Sequence, residues 1–449
     1  MKNGNFGKLF ITSVSLLIVL VMLIGCGSSS NAGEPSVDED GRIIVTFWHS
    51  MGGASGAALD QIVEEFNEYQ DEITVRAYFQ GEYEEALTTF HAIAGSSEAP
   101  SIMQVFDVGT MSMVNSNHTI PVQKFIDRDG FDLSVLEENV INYYRINDQL
   151  YSMPFNSSTP VMFLNLDAFR AAGFDMDSLP TTFEEVENAA QVITDHGDMG
   201  GFALNAWGWM WEQHLANQGA LFMNNNNGRT ATPTEIGFTW DEGLSILNWI
   251  ERMVSAGTFV NYGRNWNDMY AGFFNQDVAM IICSSASATY MIETATFEVG
   301  IAFVPYPENG HREGIVVGGA SLWMIDNGSE KENDAAWEFM QFVGRPDVQA
   351  QWHVSTGFLA INPSAYEEQI VIDAHARMPQ LRVTIDQLQA TTQSYATQGA
   401  IMDMIPQGRS IIEVAFEDVF NGARAEDALE TAIGQLNQAI ERANLARGD

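Results

Sequence analysis

Apolar positions recur along the chain with two periods. Ile43-Ile44-Val45-Thr46-Phe47 is a continuous apolar run of strand length, closed by a Gly/Ser turn. Leu59, Ile62, Val63 and Phe66 then share one face of a helix, and Ile73, Val75, Ala77 and Phe79 fall on every second position, the period of a strand. A helix around Glu84 to Ala94 and a short apolar run from Ile102 to Val105 complete a β-α-β-α-β opening with short connections. That order predicts a parallel, helix-flanked sheet. The alternation resumes after residue 160, with Met162-Phe163-Leu164 as a strand and a helix from near Thr182. Leu244, Leu247, Ile250 and Val254 lie on a helix that stops at Gly257, and Val278, Met280 and Ile282 form a later strand. Leu429, Ile433, Leu436 and Ile440 make the end of the chain an amphipathic helix packed against a lobe. No internal repeat or low-complexity block interrupts the pattern.

The first 25 residues break it. They carry Lys2 and Lys8, no acid, and an apolar stretch from Leu9 that ends in Leu23-Ile24-Gly25-Cys26, a secretory signal with a lipoprotein-type cleavage site. The apolar stretch is short of the roughly 20 residues that a membrane span needs. The reading is a signal peptide over 1–25 and lipidation at Cys26, which anchors the chain to the membrane without crossing it. Residues 26–41, rich in Ser, Asn, Gly, Pro and acid, form a flexible tether. After lipidation only Cys283 remains, so no intramolecular disulfide is available and the fold rests on its core. The chain beyond the signal exceeds the roughly 250–300 residues of a single core, so two lobes are expected.

Composition changes the choice of partner. The net charge is −39, and only four of the 20 basic residues are lysine. Nucleic acid is excluded as a natural partner. With 46% hydrophobic and 11% aromatic residues the acidity coats a globular core, an adaptation to a saline or alkaline habitat.

Sequence signatures of catalysis are absent: there is no Gly-x-Ser-x-Gly elbow, no phosphate-binding loop ending in Gly-Lys-Ser/Thr, and no His-Glu-x-x-His. The eight histidines are scattered, and Cys283 sits in an apolar strand as a small buried thiol. Hydroxyls, glycines and aromatics instead gather at predicted strand ends, where open α/β sheets bind ligands. Ser284-Ser285-Ala286-Ser287 begins the helix carrying Tyr290, and Ser284 and Ser285 serve there either as an anion seat or as an N-cap. Pro406 suits the first position of another helix, which puts Arg409 near that helix's first turn, where cations are disfavoured. Arg409 is therefore either completed by an anion, bound bidentately, or is a solvated surface arginine.

Trp207, Trp209 and Trp211 lie on a loop or helix start. Their faces suit the C–H surface of a polyol and attract choline-like cations, while core packing accounts for one or two of them. Tyr83 follows the second strand. Asp107 follows the third, and either accepts from ligand hydroxyls or caps the next helix. Phe155-Asn156-Ser157-Ser158-Thr159-Pro160 is an extended polar crossover suited to a hinge.

Four motifs carry a family resemblance: Phe47-Trp48-His49-Ser50-Met51, Pro154-Phe155-Asn156-Ser157-Ser158-Thr159-Pro160, Gly318-Gly319-Ala320-Ser321-Leu322-Trp323, and Trp352-His353 with Thr356-Gly357. From about residue 43 to 445 the chain resembles the extracellular solute-binding proteins of carbohydrate-type ABC importers, and within them the branch that captures glycerol-3-phosphate and glycerophosphodiesters. The resemblance implies an α/β, two-lobed periplasmic-binding-protein-like fold (type II), each lobe a helix-flanked sheet, with three interlobe crossings. It implies a first lobe from 42–156 plus about 305–355 and a second from 157–304 plus about 356–449. Ligand contacts carried over by position fall on Tyr83, Asp107, Ser158, Ser285, Gly319 and Arg409, with their neighbours Ser284 and Gly318, and with one or more of the three tryptophans stacking on the glycerol.

Three departures bear on the ligand. The family's enterobacterial members have glutamate where Asp107 stands and tyrosine where Phe358 stands, and the tryptophan spacing differs. The shorter acid leaves room for a larger ligand, so a glycerophosphodiester such as glycerophosphocholine stands beside glycerol-3-phosphate. A neutral oligosaccharide is the alternative within the class, and a secreted hydrolase the alternative outside it. The expected partners are ABC permease subunits and a lipid anchor, with no cofactor, no metal and a monomeric chain at the outer face of the cytoplasmic membrane.

Overall fold

The computed structural model describes residues 34–308 and 310–447. The signal peptide, Cys26 and the first half of the tether lie outside the described residues. Among the described residues no helix is long and apolar enough to cross a membrane.

The opening folds as its periodicity predicts. β1 (Ile43–His49), β2 (Ile73–Phe79) and β3 (Ile102–Phe106) are parallel, with β1 between the other two. Helices Gly53–Tyr69 and Tyr83–Ile93 make the crossovers. The short β4 (Thr119–Ile120) comes next, then a hairpin of β5 (Arg145–Ile146) and β6 (Gln149–Leu150), then β7 (Met153–Ser158). One residue, Thr159, separates β7 from β8 (Pro160–Asn165), which belongs to a second sheet with β9 (Gly200–Leu204), β10 (Val278–Ser284) and β11 (Val299–Ala302). The chain then returns to the first sheet as β12 (Gly318–Ile325).

Both sheets are mixed, which corrects the expectation of parallel sheets. β12 runs antiparallel to β3, β4 and β7, and β8 runs antiparallel to β10 and β11. The reason is the crossing itself. β3, β9 and β10 run toward the interlobe cleft and end there, whereas β8 and β12 each begin at the cleft because the chain has just passed from the other lobe, so they run the opposite way.

Local signals set the helix limits. Thr182 caps helix Phe183–His196, its side chain accepting from Glu185 N–H while Glu185 reaches back, and Thr239 and Glu242 repeat the arrangement on helix Trp240–Ala256 before Gly257. One core cluster, with Val45, Phe47, Phe66, Leu322 and Trp337, fills the first lobe. A larger one joins Phe202, Trp211, Trp249 and Phe416 of the second lobe to Val105 and Trp323 of the first, so apolar packing is continuous across the waist. Helix Ala425–Arg447 closes the chain, with Leu429, Leu436 and Ile440 buried.

Candidate functional site

Between the lobes lies a cavity of about 70 Å³. Asp107, Ser158, Gly318 and Gly319 face it from the strand ends of the first sheet. Trp207, Trp209, Ser284 and Arg409 face it from the second lobe.

Arg409 is the centre of its electrostatics. Helix Ile405–Phe420 starts one residue before Pro406, so Arg409 lies in the second turn and is buried. The placement close to the first turn stands, and the solvated alternative is corrected. Two of the guanidinium nitrogens already have carboxylate partners. Its Nη2 donates to Asp107 Oδ2 at 2.7 Å and its Nε donates to Glu212 Oε1 at 2.5 Å.

Asp107 opens a short turn after β3, and its carboxylate spans the cleft to this arginine instead of capping a helix. Glu212 is a functional candidate that periodicity missed, since a glutamate within a helix gives no signal until a partner is placed beside it. Helices Gly208–Asn217 and Ile405–Phe420 bring the pair together, and they approach so closely that a Cβ on Gly208 would stand 2.4 Å from Arg409 Cα. Burial raises the Glu212 carboxyl above its usual range despite the arginine, while burial of Arg409 is outweighed by the two carboxylates, which hold it charged.

The tryptophans divide by geometry. Trp207 precedes the helix, is 36% exposed and meets Trp209 at 5.5 Å between ring centroids. Trp209 is buried against Gly318, and its Nε1 has no partner among the described residues. Trp211, two residues on, points to the opposite side of the helix and packs on Phe238 and Phe416 in the core. Gly319 has φ of 106°, and a side chain there would meet Asn156 O at 1.9 Å, so only glycine fits.

Other expected contacts lie behind the wall. Tyr83 begins helix Tyr83–Ile93, stacks on Phe106 at 5.3 Å and receives a hydrogen bond from Asn156 Nδ2 at 3.1 Å. Ser285 stitches the crossover, its N–H donating to Thr159 O at 2.7 Å and its Oγ accepting from Thr159 N–H at 3.1 Å. Ser284 Oγ accepts from Ala286 N–H, and the turn Ser285–Ser287 precedes helix Ala288–Thr294, so the seryl run is a capped turn before the helix. Phe358 stacks flat on Trp352 at 5.6 Å. Neither Tyr83, Trp211, Ser285 nor Phe358 lines the cavity.

Among the described residues no group of three or more His, Cys, Asp or Glu is placed to hold a metal. The chemistry on offer is recognition: one cation between two carboxylates, two indole walls, seryl hydroxyls and glycine backbone.

The family model for bacterial extracellular solute-binding proteins matches residues 61–380. The sn-glycerol-3-phosphate-binding periplasmic protein UgpB of Salmonella typhimurium is 31% identical over 406 residues, covering 89% of this chain and 92% of its own. Among solved structures, UgpB of Mycobacterium tuberculosis in complex with glycerophosphocholine superposes with a TM-score of 0.76 at 21% identity, over 89% of this chain and 98% of the other. The cyclic alpha-maltosyl-1,6-maltose binding protein of Arthrobacter globiformis gives 0.75 at 22%, over 90% and 100%. With its two sheets and a relative at 31% identity along nearly its whole length, the chain belongs to the bacterial extracellular solute-binding proteins, the ligand-capturing subunits of ABC importers.

Proposed function

We propose that the chain captures sn-glycerol-3-phosphate or a glycerophosphodiester outside the cell and delivers it to its permease, without making or breaking a bond. The observation that carries this reading is Arg409, buried at the cavity wall beside two indoles and between Asp107 and Glu212. An arginine so placed supplies planar donors to a phosphate, and Ser158 and Ser284 supply hydroxyls to a glycerol. The relatives named for glycerol-3-phosphate and solved with glycerophosphocholine support the same class.

The carboxylates favour the diester. A phosphate monoester would bring close to two negative charges toward Asp107 and Glu212, whereas a phosphodiester brings one, and a cationic headgroup would find both carboxylates and the Trp207 and Trp209 faces. Tryptophan fluorescence titrated with glycerol-3-phosphate, glycerophosphocholine and maltose tests the proposal. We expect glycerophosphocholine to bind most tightly and Glu212→Gln to narrow its advantage over glycerol-3-phosphate.

A neutral sugar is the second reading, because Arg409 already has carboxylate partners and a maltose-type neighbour shares the fold. Tight binding of maltose with no response to either phosphate ester would establish it. Release of choline or glycerol on long incubation with glycerophosphocholine would overturn binding without turnover. The lobe boundaries near 156, 305 and 356, the lipid anchor at Cys26 and a monomeric state complete the proposal. Diacylglycerol on the mature N-terminus, sought by mass spectrometry, tests the anchor.

A further inference from the structure

A second cavity, of about 700 Å³, shares no lining residue with the cleft site. Its size falls within the ~300–1,000 Å³ of small-molecule sites. Its walls are helix Glu138–Tyr144, the β5–β6 hairpin, Arg229 and the segment 393–401.

The lining is amide and hydroxyl with a local excess of positive charge. Arg145 and Arg229 face one acid, Asp148, in a chain whose net charge is −39. Arg229 is half-buried and has no carboxylate partner among the described residues. It donates to four backbone carbonyls, those of Gly399, Tyr143, Arg145 and Gln398, and lies 5.3 Å over the Tyr143 ring. Those acceptors neutralise only part of a full charge, and although burial lowers its pKa to about 10, Arg229 stays protonated at neutral pH. Arg145 is half-buried, and its guanidinium makes no hydrogen bond or ion pair among the described residues.

Backbone strain concentrates at the same place. Asn147 and Asp148 at the hairpin tip have φ of 49° and 60°. Asn225, Asn226 and Asn227, directly before Gly228 and Arg229, have φ of 54°, 57° and 58°. Left-handed backbone costs roughly 1–2 kcal/mol per residue, less for Asn, and persists where the surroundings hold it. Here Asn225 Nδ2 bonds Thr232 O and Asn227 Nδ2 bonds Tyr395 O, fixing the turn that delivers Arg229.

We propose that this cavity is a second ligand site, for a small hydroxylated oxyanion such as a sugar phosphate or sugar acid. Arg145 meets the anionic group over the positive field of Arg229, and the side chains of Asn142, Asn147 and Gln393 meet the hydroxyls. The inference stands independently of the ligand of the cleft site.

Calorimetric titration of the full chain with D-glucose 6-phosphate and D-gluconate, against sorbitol as the uncharged control, tests it. We expect both anions to bind and sorbitol not to. Arg145→Ala should weaken them roughly tenfold or more, the loss of a charged hydrogen bond, while Trp209→Ala in the cleft leaves them unchanged. Because the Arg145 side chain has no partner among the described residues, the variant should melt like the wild type. Anion binding lost in Trp209→Ala but kept in Arg145→Ala would move the ligand to the cleft and overturn the proposal, as would equal binding of sorbitol or no binding at millimolar concentration.

Discussion

Take the guanidinium of Arg409 away and two buried carboxylates, Asp107 and Glu212, face each other with no counter-ion. Breaking a buried pair in this way costs about 3–5 kcal/mol, so Arg409→Met should lower the melting temperature strongly as well as abolish binding. Adding Glu212→Gln removes one stranded charge, and the double variant should melt above Arg409→Met alone. If it melts lower, the two side chains do not act as a pair. His353 offers a second prediction. Its Nδ1 lies 2.6 Å from Phe358 O, which can only accept, so Nδ1 carries the proton and Nε2 accepts from His375 Nε2–H at 3.1 Å. Burial first, then the neighbouring His375, lowers its pKa to about 4. In the unfolded chain it titrates near 6.5, so its contribution to stability is present above that pH and is lost as pH falls from about 6.5 toward 4. Thermal melts of His353→Asn across this window should show a gap from the wild type that shrinks with acidification; a constant gap would contradict the assignment.

At the scale of elements, the cleft is built where strands end and helices begin. β3 hands the chain to Asp107, β7 to Ser158, β10 to Ser284, and β12 starts with the Gly318-Gly319 pair that lets Trp209 and Asn156 O approach. Gly319→Ala forces either the strained φ or the 1.9 Å clash to relax. We expect a loss of roughly 2 kcal/mol or more with weakened binding, read by denaturant melts and titration. Thr182→Ala, by contrast, removes a helix cap and a surface hydrogen bond to Glu308 Oε1, neither of which touches a residue of the cleft cavity. It should cost about 1 kcal/mol and leave affinity intact.

On the scale of the whole molecule, a net charge of −39 repels an anionic ligand at long range. The Debye length falls from about 8 Å at physiological ionic strength to about 3 Å at 1 M, so salt removes that repulsion while Arg409, buried in the cavity, is screened least. Affinity for a phosphate ester should hold or rise with moderate salt, and a steep fall on titration across a salt series would show that exposed charge carries the binding. The β-α-β-α-β opening, the helix beginning near Thr182, the stop at Gly257 and the final amphipathic helix were legible in sequence, because each depends on neighbours a few residues apart. So was the grouping of Asp107, Ser158, Trp209, Gly319 and Arg409 as candidates, through motifs at strand ends and the family resemblance. Strand direction, the division of Trp209 to the cavity and Trp211 to the core, and the turning of Tyr83, Ser285 and Phe358 away from the cavity required the crossings to be in place. The same holds for the partners of Arg409. Asp107 is 302 residues from it and Glu212 is 197, separations at which only the folded chain decides which charges meet.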